Sequence, residues 1–584
     1  MTGITLDAAI ARVTAENPIF ETQQTVIRGT RYRAFRNTPP HIRALMQASR
    51  TAQGDGAAEY LAFGDERWSY DAFCSDSNRL AWGLQDQFGI SKGDRVAIAM
   101  RNCPELLLLI TAISSIGGVV VFLNAWWTTE ELDYALEDTG VRLVFADAKR
   151  MDRLRPLKPV RNLTLVGTRD PEGPVNQEFS ELLAKSETNE WPEVEIDTDD
   201  DFAIMYSSGT TSHPKGVVQT HRGAINAVFT WLMQAALAPL LDPPDNPDAP
   251  APRPVGLVAT PLFHVTATHP VFLLSLPAGA KLVVMDRWEA DTAVRLIRDE
   301  KITRFLGVPT QSADLAEAAE RLGEPLETLD FLGAGGAKRP AAQVAELSRR
   351  FPKANIATGW GMTETNANGI GMVGKDYLAR PGSAGRLYPP VQELRFLGED
   401  GRDVAPGEIG EITVKSPCNM RCYLNKPEAT VEAMQDGWLR TGDLGRIDGD
   451  GYVTIVDRKK NIIIRGGENI ACLDVEGALH RHPAVAEACA FALPHARLGE
   501  VVGAAVQLRP GSTVSEAELR DFLAEHVAHF KVPERIWTRA DPLPRGATDK
   551  IDRRALRAAC LPDWDDPTDT PPAERKHQEM EPNT

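Results

Sequence analysis

The sequence predicts an α/β protein: a large N-terminal domain of parallel α/β sheets with a β-barrel-like subdomain, then a small α+β C-terminal domain. Three observations lead there. At 584 residues the chain exceeds what one hydrophobic core supports, so two or more domains are expected. From about residue 95, apolar runs of strand length alternate with helical patterns, as in parallel sheets covered by helices. From about residue 408 the pattern changes to short alternating strands, and Asp457-Arg458-Lys459-Lys460-Asn461 makes a charged, turn-like break. The expected divisions are 1–457, 458–561 and a Pro-, Asp- and Glu-rich disordered tail, 562–584.

Taken in order, residues 1 to 60 look helical, interrupted at Pro39-Pro40. Strands are expected at Arg95–Met100, Val119–Leu123 and Leu143–Ala146, with a helix over Thr128–Asp138. Leu106 to Leu123 is barely long enough to cross a bilayer. Gly117-Gly118 splits it into a helix-like half and a β-branched half, so it reads as a buried helix followed by a buried strand. Phe202–Met205 is a further buried strand. Residues 236–254 are Pro-rich and read as an exposed, extended insertion without chemistry. Strands resume near 255–260, 281–285, 304–307, 331–333, 411–414 and 452–456. A capping box, Ser515 to Glu518, opens a helix expected to run to Val527.

Composition narrows the class. With 43% hydrophobic and 25% charged residues, this is ordinary globular usage. Sixty-four basic against 81 acidic residues give net −17, which argues against nucleic-acid binding. Local loops can still attract anions. Seven scattered cysteines, an odd number, point to reduced thiols and a cytoplasmic protein. Cys418 and Cys422 form the only close pair, and without a second pair they read as structural. The N-terminus carries Asp7 and Glu16 and no compact apolar stretch, unlike a secretory signal.

The chemistry concentrates in a few stretches. Tyr206 to Val218 places seven small or hydroxylated residues around Gly209, then Pro214, Lys215 and Gly216. Such a loop bends tightly and offers N–H groups, hydroxyls and one ammonium to a polyphosphate. It is not a Walker A loop, because the Gly-Lys-Ser/Thr ending is missing, and alone it could be a surface turn. Four more stretches follow: Gly359-Trp360-Gly361-Met362-Thr363-Glu364; Tyr423 to Asp443, ending Arg440-Thr441-Gly442-Asp443; Asp457 to Asn469, containing Arg465-Gly466-Gly467-Glu468; and Leu543-Pro544-Arg545 running to Asp549-Lys550.

This ordered set resembles the adenylate-forming superfamily of acyl-CoA synthetases, luciferases and peptide-synthetase adenylation domains, over roughly residues 30 to 555. The resemblance implies an N-terminal adenylation domain, a mobile C-terminal domain, and ATP, Mg²⁺ and coenzyme A as ligands. Thr210, Thr211, Ser212 and Lys215 would cradle the β- and γ-phosphates, with Ser207 and Ser208 holding the loop. Gly335, Gly336 and Ala337 would pass between adenine and acyl group, glycine permitting close backbone approach. Trp360, beside Gly361, would stack on adenine; Thr363 would contact phosphate; Glu364 would bind Mg²⁺, a hard ion suited to one carboxylate plus phosphate oxygens. Asp443 would take both ribose hydroxyls, with Arg458 on the same sugar. His264, in Thr260-Pro261-Leu262-Phe263-His264, would gate the acyl entrance. Amino-acid-activating relatives carry Asp one residue after Phe, so His264 there argues against an α-amino acid substrate.

Lys550 is the expected catalytic lysine, bridging carboxylate and α-phosphate as charge develops. The sequence departs from the family here: the usual Gly-Lys is Asp549-Lys550. For the second half-reaction the resemblance makes Lys460 the hinge and lines a pantetheine tunnel with Gly466, Gly467 and Glu468. The reading is an AMP-forming acyl-CoA synthetase for a medium- or long-chain fatty acid. An aryl or polycyclic acid, or a carrier-protein acceptor, are the alternatives. The expected partners are the acid, ATP and CoA, with no nucleic acid, no integral membrane span and a homodimeric assembly.

Overall fold

The computed structural model describes residues 4–169, 175–184, 190–207, 214–243, 252–546 and 550–564. The chain divides into two compact units, Met1–Arg395 with Thr413–Thr441, and Phe396–Ile412 with Gly442–Thr584.

The first unit contains two large sheets. One has eight strands, in the order Cys422–Tyr423, Lys215–Thr220, Asp201–Ser207, Val119–Phe122, Arg95–Ala99, Leu143–Asp147, Thr164–Thr168 and Gln177–Glu178. From Asp201–Ser207 to Gln177–Glu178 every pairing is parallel. The two strands at the other edge are antiparallel. The second sheet has nine strands, and its centre is parallel in the order Asn355–Trp360, Phe331–Ala334, Arg304–Gly307, Val255–Val258, Lys281–Val284 and Glu59–Phe63. Antiparallel strands flank it at both edges.

The apolar runs form these strands because both faces of each sheet are buried. Val96, Ala97, Val120, Val121, Val144 and Phe145 are all fully buried. Leu106 to Leu123 is a buried helix, Pro104–Ser115, followed by a buried strand, Val119–Phe122, as expected. Gly117 makes the turn between them at φ +70°.

Four sequence expectations change. Residues 1 to 60 are not uniformly helical: helices Leu6–Glu16 and Ile42–Ala52 bracket an antiparallel hairpin, Thr22–Ile27 with Thr30–Phe35. Arg28 and Gly29 turn it with both φ positive, the geometry of a two-residue hairpin loop. The Pro-rich segment 236–254 does not begin as extended chain, because the helix His221–Leu241 continues through 236–241 with Pro239 inside it. Near the helix end a proline forfeits one hydrogen bond only. Within that segment, residues 244–251 lie outside the described residues. The helix opened by Ser515 ends at Ala524 rather than Val527, with its capping box formed as expected. Finally, ordered chain continues past 561: Leu561–Asp563 is a short 3₁₀ turn and Trp564 donates its Nε1–H to Pro494 O at 2.9 Å. The rest of the expected tail, 565–584, lies outside the described residues.

By length and composition one described helix, His221–Leu241, could cross a bilayer; half of its most apolar window is buried inside the protein, as in a core helix.

The short strands expected as a β-barrel-like subdomain lie at Glu393–Leu397, Gly410–Lys415, Met434–Gln435, Trp438–Ile447 and Val453–Arg458. The second unit holds a sheet of Glu468–Ala471, Ile462–Arg465, Gly499–Leu508, Val485–His495 and Arg535–Arg539. Only the pairing of Gly499–Leu508 with Arg535–Arg539 is parallel. Helices Cys472–Leu479 and Glu516–Ala524 bury Val475, Leu479, Leu519 and Leu523 against Val502, Val506 and Ile536.

Candidate active site

In open parallel sheets, ligands gather beyond the carboxyl ends of the strands, where the strand order reverses. Val255–Val258 is such a strand in the nine-stranded sheet, pairing with Lys281–Val284 on one side and Arg304–Gly307 on the other. The segment after it carries His264. Gly335–Ala337 follows the end of Phe331–Ala334, and Gly361–Glu364 follows the end of Asn355–Trp360. Three sequence-predicted stretches of the N-terminal unit therefore lie at one end of strands of the same sheet.

Their backbones are packed closely. Gly335 donates its N–H to Gly307 O at 3.0 Å. A Cβ on Gly335 would lie 3.7 Å from Gly359 O and from Thr266 Cγ2, so these segments share one wall. Gly336 has φ +79°, and a side chain there would be strained. At Gly361 a Cβ would meet Ala367 O at 2.3 Å, so only glycine lets the Trp-Gly-Met turn fold back on itself. Trp360 ends its strand half-buried.

Glu364 is the most constrained of the expected residues. It is 4% exposed, in the 3₁₀ turn Thr363–Thr365. Its backbone carbonyl accepts Met420 N–H at 2.7 Å, and Thr363 O accepts Gln219 Nε2–H at 2.8 Å. Its carboxylate accepts the Tyr423 hydroxyl at 2.9 Å and forms no ion pair among the described residues. A buried carboxylate without a cation is costly. The donor set fits Mg²⁺, a hard ion that takes one or two carboxylates and fills its remaining positions with water and substrate phosphate. Among the described residues no group of three or more His, Cys, Asp and Glu could hold a metal.

Of the glycine-rich loop, Ser207 and Lys215 are described, facing each other as the last register pair of two antiparallel strands. The Lys215 ammonium lies 4.6 Å from the centroid of the Tyr423 ring. Ser208, Thr210, Thr211 and Ser212 lie outside the described residues. His264 is half-buried and caps the short helix Val265–Ala267, its Nδ1 accepting Thr266 N–H at 3.2 Å. That cap accounts for one ring nitrogen without any gating role.

The C-terminal unit presents a second constellation. Asp443 is 6% exposed and stands opposite Arg458 in an antiparallel register, accepting its Nε–H at 3.1 Å. Lys550 lies in the field of both, half-buried. Desolvation chiefly, with the Arg458 charge, lowers its pKa to about 8, and Asp443 opposes the shift. Asp549 lies outside the described residues. Lys460 is exposed in the 3₁₀ turn Lys459–Asn461, between two strands. Gly466 and Gly467 are the two central residues of a hairpin turn, φ +58° and +94°, closed by Arg465 opposite Glu468. A Cβ at Gly467 would meet nothing within 4 Å.

Two functional candidates escaped sequence reasoning. Tyr423 opens a quoted stretch but carries no spacing signal that assigns it a partner. Asp457, 1% exposed, accepts N–H groups from Arg458 at 2.7 Å and Leu473 at 2.9 Å and from the Asn461 amide at 3.3 Å, which anchors the turn bearing Lys460. Burial raises its pKa above the usual carboxylate range. All seven cysteines are free, and Cys418 Sγ accepts from Asn368 Nδ2 at 3.3 Å, a structural contact.

A buried carboxylate at the strand ends and an acid–arginine–lysine cluster in the second unit fit a two-unit nucleotide-using enzyme. Comparison with known proteins makes the class particular. The AMP-binding enzyme profile matches residues 47–424, and the AMP-binding enzyme C-terminal domain matches 474–550. The long-chain-fatty-acid–CoA ligase FadD13 of Mycobacterium tuberculosis is 32% identical over 498 residues, 84% of this chain and 93% of that protein. The feruloyl-CoA synthase of an Amycolatopsis species is 34% identical over 483 residues, covering 82% and 91%. The solved o-succinylbenzoate–CoA synthetase MenE of Bacillus subtilis, with ATP and magnesium ion, superposes with a TM-score of 0.73 at 28% identity, covering 88% and 99%. The chain belongs to the AMP-binding enzyme family.

Proposed function

We propose that this enzyme is an AMP-forming acyl-CoA synthetase. A carboxylate oxygen of the acid attacks the α-phosphorus of ATP, the bond to the bridging oxygen breaks, and pyrophosphate leaves. The CoA thiolate then attacks the acyl carbon of the adenylate, and AMP leaves. The observation that carries the reading is the grouping of Lys550 with Asp443 and Arg458: a lysine near the chain's end is brought to an acid–arginine pair suited to a ribose.

Each residue then has a task. Lys550 neutralises charge that develops between carboxylate and α-phosphate. Asp443 accepts both ribose hydroxyls, and Arg458 orients Asp443. Trp360, Gly361, Gly335, Gly336 and Ala337 form the walls that hold adenine and acyl group. Lys215 and Thr363, with Ser207, Thr210, Thr211 and Ser212, take the phosphates. Glu364 would hold Mg²⁺, which supplies positive charge against the phosphates. His264 stands by the acyl entrance. Residues 458–561 turn as a body about Lys460, and Gly466, Gly467 and Glu468 then border the path of the CoA arm.

The acid is a medium- or long-chain fatty acid, a reading supported by the FadD13 relative at 32% identity. An aryl acid is the second reading, supported by the feruloyl-CoA synthase relative at 34%. Seven free thiols support a cytoplasmic enzyme. A homodimer is its proposed assembly, which light scattering at twice the monomer mass would bear out. The decisive assay follows AMP, pyrophosphate and CoA consumption over acids of graded length and ring content. Stoichiometric AMP, pyrophosphate and thioester are expected with medium- or long-chain acids. ATP left intact with every carboxylate, Mg²⁺ present, overturns the reading.

A further inference from the structure

Tyr423 is one side chain with two contacts of different kind. It lies on the two-residue edge strand Cys422–Tyr423, whose partner is the strand that begins at Lys215. Its hydroxyl donates to Glu364 Oε1 at 2.9 Å, the only hydrogen bond that carboxylate makes among the described residues. Its ring carries the Lys215 ammonium at 4.6 Å from the centroid. The ring cannot drift, because Tyr423 is 8% exposed and packs with Val217, Met420 and Leu439. Its backbone N–H is bonded to Thr430 Oγ1 at 3.0 Å, and the next residue, Leu424, donates to Gly216 O at 2.7 Å. One rigid ring thus fixes the distance between the carboxylate assigned to the metal and the cation assigned to the phosphates.

We infer that Tyr423 is a positioning residue for adenylation, whose hydroxyl aims the Glu364 carboxylate and whose ring face holds the Lys215 ammonium, so that metal and phosphates meet a preset pair. The inference rests on the reading of Glu364 as the metal carboxylate. Without the hydrogen bond the carboxylate is free to rotate, and part of the binding free energy goes into fixing it. Without the ring, a flexible four-carbon ammonium has no defined resting place.

The test uses the full enzyme and two measurements: Mg²⁺ dependence of ATP–pyrophosphate exchange, and Mn²⁺ binding in the presence of a non-hydrolysable ATP analogue, read by electron paramagnetic resonance. Tyr423→Phe keeps the ring and removes the hydroxyl. It is expected to raise half-saturating Mg²⁺ and to weaken Mn²⁺ binding, each about tenfold, the effect of one hydrogen bond to a charged group. KM for ATP at saturating Mg²⁺ should stay within about twofold, and conversion of supplied acyl-adenylate to thioester should be unchanged. Tyr423→Leu also removes the ring and is expected to raise KM for ATP. Unchanged metal dependence in Tyr423→Phe, with Glu364→Gln strongly shifted, overturns the inference and leaves the site reading intact. Unchanged metal dependence in Glu364→Gln overturns the site reading and the inference with it. A folded Tyr423→Leu enzyme whose KM for ATP equals that of Tyr423→Phe overturns the ring's part.

Discussion

The two constellations are built from different material. In the N-terminal unit the site is backbone: strand ends, glycines that let one segment press on another, and a carboxylate pinned through both its main chain and a buried tyrosine. In the C-terminal unit it is long side chains: Arg458 is largely exposed, the Lys550 ammonium makes no hydrogen bond among the described residues although its backbone carbonyl accepts Gly546 N–H at 2.7 Å, and the ammonium is held by the surrounding charges. A preformed wall suits the half of the chemistry that stays in place through the cycle. A charge on a flexible stem suits a group that must arrive for one step and leave for the next. The difference teaches that damage to the first should appear in folding and in both half-reactions. Damage to the second should leave the fold intact and separate the half-reactions.

The largest effect that could break this contrast is Lys550→Ala. Loss of one preorganised charge contact costs on the order of 10²–10³-fold in adenylate formation. Thioester formation from supplied acyl-adenylate should be preserved, because the lysine serves the first step only, and the melting temperature should not fall. Rapid-quench assay of each half-reaction decides it; equal loss in both would erase the distinction between the units. Next in size is Gly467→Leu. The site has open space around it, but its φ of +94° strains any side chain. Blocking or shifting the CoA path by about 1 Å is expected to cost on the order of 10²-fold in thioester formation. Adenylation should be retained, with calorimetry to measure the strain separately. Normal thioester formation would remove Gly467 from the path.

Gly361→Ala probes the backbone-built half. The new Cβ would lie 2.3 Å from Ala367 O, backbone that cannot swing aside. A loss of about 1–3 kcal/mol in stability is expected, with lower rates in both half-reactions. An enzyme with wild-type melting and a selective adenylation defect would contradict the view of this wall as shared scaffold.

Legibility in the sequence follows the same divide. The parallel strands were readable because burial on both faces leaves uninterrupted apolar runs such as Val119–Phe122. The hairpin at 22–35 was not, since Thr22–Ile27 is largely solvent-facing and Thr-Gln-Gln-Thr carries no apolar alternation. The Pro-rich segment 236–254 reads as extended chain although its first six residues are helical, because sequence does not say how near a helix end Pro239 falls. The motif stretches stand out one by one in the sequence, and the position of Gly335 after a strand follows from strand–glycine order, but the strand Asn355–Trp360 that carries Trp360 to the same edge carries no such signal. What stayed hidden were the joints: Tyr423 on Glu364, Asp457 beneath the Lys460 turn, and the field of Arg458 on Lys550. Tyr423 and Glu364 stand 59 positions apart and Arg458 and Lys550 lie in different motifs, which no local pattern encodes, whereas the Asp457 contacts span 1 to 16 positions and carry no residue-type signature of their own.

The mildest perturbation, pH, sharpens the contrast without any mutation. Burial and the Arg458 charge lower the Lys550 pKa to about 8 from an ordinary 10.5, so the ammonium that stabilises the adenylation step is lost as pH rises through about 8. The kcat/KM for ATP reports the free enzyme, so it should be flat below that value and then fall towards tenfold per pH unit. Thioester formation from supplied adenylate should lack this limb, Lys550→Arg should abolish it, and Arg458→Ala should move it upward by removing the repelling charge. Stability moves the other way. Between about 8 and 10.5 the unfolded chain still holds the proton that the folded lysine has released, so this group's contribution to unfolding free energy rises with pH across that window. An enzyme that gains thermal stability from this lysine while losing adenylation over the same pH range would show that burial of Lys550 serves the reaction at the expense of the fold. A limb common to both half-reactions would place the titrating group in the N-terminal wall instead.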